Sequence, residues 1–236
     1  YILSTMDKKN ENFDKVLVDA KNLGYAEANP LSDLNGDDVA AKLKILSSLC
    51  FNSFINNNIH IEGIKNIDKI DIDNANKLGY KIKLLGVSEL IKNKVYQRVH
   101  PTFIKKNSYI ASIDGVLNAV IIDGTPVGQS VIHGEGAGPE ATTSALISDI
   151  SSILRGNIKF PFSISNNERK KLNYENIDER PFSAYLRFDV LDKPGILSNI
   201  TNIFSKYKVS IKRVLQTPNK SKKLSSKGGS GYDICW

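Results

Sequence analysis

Residues 20–42 read AKNLGYAEANPLSDLNGDDVAAK. Apolar residues recur at helical spacing on both sides of this stretch, first Phe13, Val16, Leu17, Ala20 and Leu23, and then Val39, Leu43, Leu46, Leu49 and Cys50. Gly24 suits the position just past a helix end, and the residues from Asn29 to Gly36 favour a loop. The stretch therefore predicts a helix, a loop and a second helix.

Charged residues cluster around the loop and the start of the second helix. Asp38 and Lys42 are four residues apart and share a helix face, whereas Glu27 and Asp33 precede that helix. Together these side chains can converge on one small polar ligand. On spacing alone a simpler interpretation stays open, because an exposed acid–lysine pair at this spacing is common and contributes only about 0.3–0.5 kcal/mol.

From residue 59 onward the sequence changes to short segments rich in β-branched and aromatic residues. Strands are predicted over 82–87, 94–100, 111–119, 120–122 and 127–133. Asp123-Gly124 is a hairpin signal, and Ile70 to Leu78 is predicted to form a short helix. We therefore predict an α+β fold in which helices pack on a mainly antiparallel or mixed sheet.

A glycine-rich run, GEGAG at residues 134–138, precedes another predicted helix that ends near Gly156. The positions predicted to form its buried stripe are Ala141, Ala145, Leu146, Ile150 and Ile153. The glycine spacing is GxGxG, which differs from the GxGxxG of dinucleotide-binding folds, and no acidic residue follows at the expected strand end. The run alone does not indicate a nucleotide-binding domain.

The last part of the chain is predicted to be a linker over 158–181 followed by a βαβ unit. That unit comprises a strand over 184–191, the turn Asp192-Lys193-Pro194-Gly195, a helix over 196–207 and a strand over 209–215. The lysine-rich stretch after residue 219 favours a solvated turn.

Composition narrows the function classes. The 236 residues are 41% hydrophobic and 24% charged, which is ordinary for a globular protein. No apolar run long enough for a membrane span and no secretory signal is visible, so a cytoplasmic location is expected. The net charge of +7 is spread through the sequence, which argues against a nucleic-acid partner. Cys50 and Cys235 are predicted free thiols, and His60, His100 and His133 are too scattered to predict a metal site.

At every position of its motif, the stretch 20–42 resembles the signature of homoserine dehydrogenases: Ala20, Gly24-Tyr25-Ala26, Asn29-Pro30, Asp33-Leu34, Gly36, Asp38 and Lys42. The resemblance runs from Tyr1 to about Gln216 and includes RVHP at 98–101 and GVLNA at 115–119. It implies an oxidoreductase of threonine, methionine and isoleucine biosynthesis that interconverts L-aspartate 4-semialdehyde and L-homoserine with NAD or NADP. A homo-oligomer, at least a dimer, is also expected.

The resemblance also implies roles for single residues. Lys42 matches the catalytic lysine, Asp38 the aspartate that binds substrate and holds that lysine, and Glu27 the glutamate that anchors the substrate ammonium group. Asp33 is expected to support them, and Tyr25 is expected either to line the pocket or to be a packed aromatic residue. Gly136, Ala137 and Gly138 are expected either to contact the cofactor or to form a tight structural turn.

The C-terminal unit resembles an ACT-type regulatory domain of the ferredoxin-like class. Two interpretations stay open: feedback by an amino acid, threonine being expected, at Asp192, Gly195 and Ile196, or a dimerising module that binds no ligand.

The domains predicted in this way are four. They are a catalytic and dimerisation domain over 1–157 with a returning helix at 134–157, the linker over 158–181, a truncated ACT-type domain over 182–226, and a non-native tail over 227–236. Because the family's nucleotide-binding domain would precede Tyr1, this chain alone is expected to be inactive. The alternative function is a non-catalytic amino-acid-sensing or oligomerising module.

Overall fold

A computed structural model describes residues 1–26, 29–136, 138–157, 165–175, 182–191, 193–219 and 231–235. The chain forms two compact units, Tyr1–Arg180 and Pro181–Trp236, and each is described by itself. Within the described residues, no helix combines the length and the apolar character that a membrane span requires.

Five helices open the first unit: α1 (Ile2–Lys9), α2 (Phe13–Asn22), α3 (Leu31–Asn35), α4 (Asp37–Phe51) and α5 (Lys69–Lys77). The predicted helices before and after the loop are confirmed as α2 and α4, and the short predicted helix as α5. The predicted loop itself contains the one-turn α3, which ends at Gly36 because that glycine adopts a left-handed φ of 90°.

A mixed sheet lies against these helices. It contains β1 (His60–Ile61), β2 (Tyr80–Ile91) and β3 (Lys94–Lys105), with β1 parallel and β2 antiparallel to β3. The main core is formed by α1, α2, α3, α5 and β2 through buried side chains, among them Leu3, Met6, Val16, Leu34, Ile72 and Ile82. A second cluster joins Ala40 and Leu43 of α4 to Val99 of β3. The predicted α+β class with a mixed sheet is confirmed.

A separate hairpin follows, formed by the antiparallel strands β4 (Leu117–Gly124) and β5 (Gly128–Glu135). It confirms the hairpin predicted at Asp123-Gly124. The strand predicted over 111–119 begins only at Leu117, because residues Tyr109–Ser112 form one 3-10 turn. Local hydrogen bonds hold that turn, in which the Ala111 N–H donates to the Ser108 carbonyl and the Ser112 hydroxyl donates to the Tyr109 carbonyl.

Helix α6 (Pro139–Leu154) follows the hairpin, and Gly156 just after it has a φ of 73°. The prediction of a buried stripe on this helix is wrong for the chain as described. Leu146, Ile150 and Ile153 are 58%, 56% and 62% exposed, and no described residue of α6 is buried. Periodic apolar residues identified the helix correctly, but no surface within the described residues covers them.

The segment predicted as a linker is partly packed on the first unit. Within its described residues 165–175, strand β6 (Asn173–Tyr174) pairs in parallel with β3. Leu172 is buried beside Ile55 and Val95 in a third cluster. One apolar residue with suitable partners therefore docks a stretch whose polar composition favours a linker. The predicted domain limits otherwise stay predictions.

The second unit contains β7 (Arg187–Leu191), α7 (Ile196–Lys206), β8 (Leu215–Asn219) and β9 (Gly231–Cys235). Strand β9 lies between β7 and β8 and is antiparallel to both, as in a partial ferredoxin-like sheet. The strand predicted over 209–215 instead begins at Leu215. The residues of β9 belong to the predicted non-native tail, so their place at the centre of the sheet counts against that prediction.

Candidate active site

The acid–lysine pair predicted on the second helix forms at the start of α4. The Lys42 ammonium donates a hydrogen bond of 2.6 Å to the Asp38 carboxylate, and both side chains are half exposed. Asp38 lies in the first turn of α4, so its negative charge also complements the positive end of the helix dipole. The pair holds an ammonium group in one place while leaving it accessible to a ligand.

Gly36 sets the corner between α3 and α4. Its N–H donates to the Ser32 and Asp33 carbonyls and closes α3. A β-carbon at residue 36 would lie 3.1 Å from side-chain atoms of both Ile61 and Val99. Only a residue without a side chain combines the left-handed backbone with this approach to the sheet, and the start of α4 is fixed as a result.

A second glycine, which the sequence pattern did not single out, supports the same corner from the strand side. A β-carbon at Gly63 would lie 2.2 Å from the Leu34 carbonyl oxygen and 2.7 Å from the Asn35 α-carbon. The neighbouring Ile64 N–H donates to that Leu34 carbonyl at 2.9 Å. Backbone therefore meets backbone directly beneath α3, the helix that carries Asp33.

The sheet side of α4 is fixed at both ends. Near its start, Val39 and Leu43 pack on Gly86 of β2, where an added β-carbon would lie 3.1 Å from the Val39 Cγ1 atom. Near its end, the buried Gln97 side chain of β3 donates a hydrogen bond of 2.9 Å to the Ser47 hydroxyl. Neither contact was predicted, and both determine where Lys42 lies relative to the sheet.

The other predicted substrate-binding residues are placed less completely. The Tyr25 ring lies 5.1 Å from the Tyr1 ring, between centroids, and is 38% exposed, so it packs on an aromatic neighbour and keeps part of its surface open. Asp33 is exposed on α3. Glu27 lies outside the described residues. The structure thus brings Asp38 and Lys42 together and puts Asp33 on the preceding helix.

The structure explains why one position of the glycine-rich segment, residue 136, requires a glycine. A β-carbon at Gly136 would lie 1.6 Å from the Asn118 amide nitrogen, and the Gly136 N–H donates to the Val116 carbonyl at 3.2 Å. Gly138 has a φ of 112° immediately before Pro139, the first residue of α6. These features support the tight-turn interpretation for Gly136, whereas Ala137 lies outside the described residues.

Asp114, just before β4, is the centre of a charged cluster that the sequence did not reveal. Its carboxylate lies 2.6 Å from the Lys83 ammonium, 3.1 Å from Lys8 and 3.4 Å from Lys81. Burial alone would raise the pKa of Asp114, but hydrogen bonds from Lys83 and Lys8 and the charge of Lys81 outweigh burial and lower that pKa to about 2. The cluster ties the hairpin's leading loop to α1 and β2.

In the second unit, Gly195 has a φ of 91° and immediately precedes Ile196, the first residue of α7. The Gly195 carbonyl accepts from the Asn199 N–H at 2.9 Å, as the first bond of that helix. Asp192 lies outside the described residues. As for metals, no group of three suitable side chains was found in the part of the chain that the structure describes.

Comparison with known families identifies the family to which the chain belongs. A family model described as "Homoserine dehydrogenase" matches residues 1–151, which is more than half of the chain. The chain belongs to the homoserine dehydrogenase family. A model described as "ACT domain" matches residues 184–233, so this match also runs through most of the predicted non-native tail.

Curated proteins that are similar in sequence to this chain are homoserine dehydrogenases. A homoserine dehydrogenase from Helicobacter pylori is 39% identical over 231 residues, which is 96% of this chain and 54% of that protein. One from Pseudomonas aeruginosa is 35% identical over 92% of this chain and 51% of its own length. The chain therefore spans about half the length of the curated relatives it matches.

Solved structures agree. A homoserine dehydrogenase from Thiobacillus denitrificans matches with a TM-score of 0.84 at 33% identity, over 100% of this chain and 54% of that one. A Staphylococcus aureus homoserine dehydrogenase matches at 31% identity with a TM-score of 0.68, over 99% of this chain and 55% of that one. The fold and the family are thus established, while the activity of the whole protein is a matter for proposal.

Proposed function

We propose that the chain is the substrate-binding part of an oxidoreductase that reversibly reduces L-aspartate 4-semialdehyde to L-homoserine with a nicotinamide cofactor. The single observation that carries the proposal is the Lys42–Asp38 hydrogen bond of 2.6 Å at the start of α4. It lies within a helix–loop–helix that is part of the family match over residues 1–151.

Lys42 is proposed to act on the oxygen of the reacting carbonyl. Hydride addition to the aldehyde carbon leaves an alkoxide, and a nearby ammonium group stabilises that negative charge and can deliver a proton to it. Proton delivery leaves the lysine as a neutral amine, and in the reverse direction that amine takes the hydroxyl proton of homoserine and becomes the ammonium group again. Asp38 holds the lysine in place, since its carboxylate accepts the hydrogen bond from the ammonium group.

Carboxylates from the stretch 20–42 are proposed to hold the rest of the substrate. Both substrate and product carry an α-ammonium group, which would be anchored by donating charge-assisted hydrogen bonds to the carboxylates of Glu27 and Asp38, with Asp33 in support. Tyr25 is proposed to form a wall of the pocket from its position beside Tyr1. Fixing one end of the amino acid orients its carbonyl for hydride transfer.

NAD or NADP is the proposed cofactor, and when bound it supplies or accepts the hydride. An archaeal homoserine dehydrogenase of 22% identity is described in complex with NADPH. The residues present here fit a supporting contact: after Gly138, the N–H groups in the first turn of α6 point out of the helix start and can meet an anionic or carbonyl group of the cofactor.

Regulation and assembly form the remaining part of the proposal. The ACT match supports binding of an amino-acid effector, which we propose to be threonine, at the Gly195–Ile196 start of α7. Two or more copies of the chain are proposed to associate. A cytoplasmic location and the absence of nucleic-acid and membrane partners stay predictions from the sequence.

The test is a Lys42→Ala substitution in a chain extended to the length of its relatives. We expect the rate of NADP-dependent homoserine oxidation to fall by about 10³-fold, as for loss of a general acid–base group, with an unchanged circular dichroism spectrum. Lys44→Ala on the same helix is the matched control and should retain activity. If this chain only senses amino acids and α4 has no catalytic role, the Lys42→Ala variant will keep its rate of homoserine oxidation.

A further inference from the structure

A cleft in the first unit lies away from the Lys42–Asp38 pair, at the opposite end of α4. It has a volume of about 620 Å³, within the range of small-molecule sites. Its lining residues come from the loop after α4, from the segment before β6 and from β6 itself: Ser53, Phe54, Arg169, Lys170, Lys171, Leu172 and Tyr174. The described residues that line it include three cations and no acid.

The two walls of the cleft are joined by specific hydrogen bonds. The Lys170 N–H donates to the Asn52 carbonyl at 2.8 Å, and the Ser53 hydroxyl returns a bond of 2.8 Å to the Lys170 carbonyl. The Tyr174 hydroxyl donates to the Phe54 carbonyl at 3.2 Å. Leu172, 8% exposed, anchors the second wall in the core. The cleft is therefore a fixed feature of the fold.

The residues that line the cleft combine positive charges with exposed aromatic rings. The Arg169 guanidinium lies 5.9 Å from the centre of the Phe54 ring, within cation–π distance. Phe54 and Tyr174 are nevertheless 56% and 40% exposed, so flat apolar area remains open to a ligand. Lys170 and Lys171 are exposed on the same wall. Rings beside lysines and an arginine are the groups that bind a base and its phosphate.

We propose that this cleft is a second ligand site, which binds a nucleotide through a ring stacked on Phe54 and a phosphate held by Lys170 and Lys171. Lysine ammonium groups reach a phosphate as flexible point charges, and Arg169 adds charge from the Phe54 side. The site involves neither Lys42 nor Asp38, so it does not depend on the function proposed above.

The test uses the 236-residue chain and isothermal titration calorimetry with AMP, adenosine and inorganic phosphate as separate probes. We expect AMP to bind saturably and more tightly than either half. Lys171→Glu should weaken AMP binding by about tenfold or more because it replaces attraction with repulsion. Phe54→Ala should weaken AMP and adenosine by about fivefold, as for loss of one stacking contact, and leave phosphate unchanged.

Lys105→Glu is the matched control, since Lys105 is exposed at the end of β3 and the substitution changes net charge equally. It should leave AMP affinity unchanged. The proposal is overturned if AMP does not bind, or if binding survives both Lys171→Glu and Phe54→Ala, as it would at the start of α6. Phosphate binding as tightly as AMP, with no effect of Phe54→Ala, would equally overturn the nucleotide assignment.

Discussion

Val39 of α4 lies so close to Gly86 of β2 that a β-carbon at residue 86 would be 3.1 Å from the Val39 Cγ1 atom. Leu43, one turn further along α4, would lie 3.4 Å from the same β-carbon. Asp38 and Lys42 neighbour these two residues in sequence. The separation between α4 and the sheet, and with it the position of the acid–lysine pair, therefore depends on the absence of a side chain at residue 86.

Gly86→Val should displace α4 and lower the free energy of unfolding by about 1–3 kcal/mol, as overpacking of a filled core does. Urea denaturation followed by circular dichroism measures this loss. Adding Val39→Ala should recover part of the stability, because it frees space at the contact. A Gly86→Val chain as stable as the parent would show that α4 does not lie this close to β2.

Gly63→Ala should be destabilising despite its small size. The added methyl group would meet the Leu34 carbonyl oxygen at 2.2 Å, and backbone atoms cannot move aside as a flexible side chain can. The Ile64 to Leu34 hydrogen bond of 2.9 Å should lengthen or break. We expect a loss of roughly 1–3 kcal/mol, measured by thermal unfolding.

Gly134→Ala is the control for that experiment, because no heavy atom lies within 4 Å of a β-carbon built at residue 134. It should leave the melting temperature nearly unchanged. Equal melting temperatures for the two variants would contradict the backbone contact at Gly63.

Asp114→Asn should lower the free energy of unfolding by an amount that depends on pH, because it removes the carboxylate at the centre of the charged cluster. The folded-state pKa of Asp114, about 2, is below the ordinary value of 3.8, so the ionised carboxylate stabilises the fold above pH 3.8. This contribution is lost as the pH falls from 3.8 toward 2. After allowance for solvent screening, we expect the variant to be about 1 kcal/mol less stable at pH 7.

Denaturation of both proteins between pH 3 and 7 gives the measurement. The stability difference should be constant from neutral pH to about pH 5 and should shrink below pH 4. It should also decrease in 0.5 M salt, because the ion pair with the exposed Lys8 is screened. A difference that is independent of pH would mean that the lysines do not stabilise the Asp114 charge.

Patterns in the sequence predicted two helices and the hairpin correctly, because interactions between residues close in the chain determine these elements. Helices α2 and α4 were found from apolar spacing, with Gly24 marking the end of α2, and the hairpin was found from Asp123-Gly124. The position of Asp38 and Lys42 on one helix face followed from their separation alone. Their assignment to a reaction needed the family resemblance, because the same spacing occurs in ordinary surface pairs.

Contacts between distant parts of the chain were not predicted. Gly63 and Gly86 matter because another backbone or helix lies against them, and nothing in the adjacent sequence indicates that approach. Asp114 meets lysines from α1 and β2, which are far away along the chain. Residues 111–116 resembled a strand by composition, yet the short-range hydrogen bonds of the Ala111 N–H and the Ser112 hydroxyl favoured a turn in part of that stretch.

The exposed apolar stripe of α6 gives a last prediction. It tests whether a helical spacing of apolar residues implies that those residues are buried. Ile150 is 56% exposed, so Ile150→Ser should change the free energy of unfolding of this chain by less than about 0.5 kcal/mol. Ile82→Ser is the matched comparison, because Ile82 is 4% exposed in the main core and should lose roughly 3 kcal/mol or more.

Dynamic light scattering of the Ile150→Ser chain completes the test. Contiguous exposed apolar side chains promote association, so the variant should remain monodisperse at a higher protein concentration than the parent. A large loss of stability from Ile150→Ser would show instead that the stripe is covered within this chain. The helical period of residues 141–153 would then report burial as well as secondary structure, which it does not do in the structure described here.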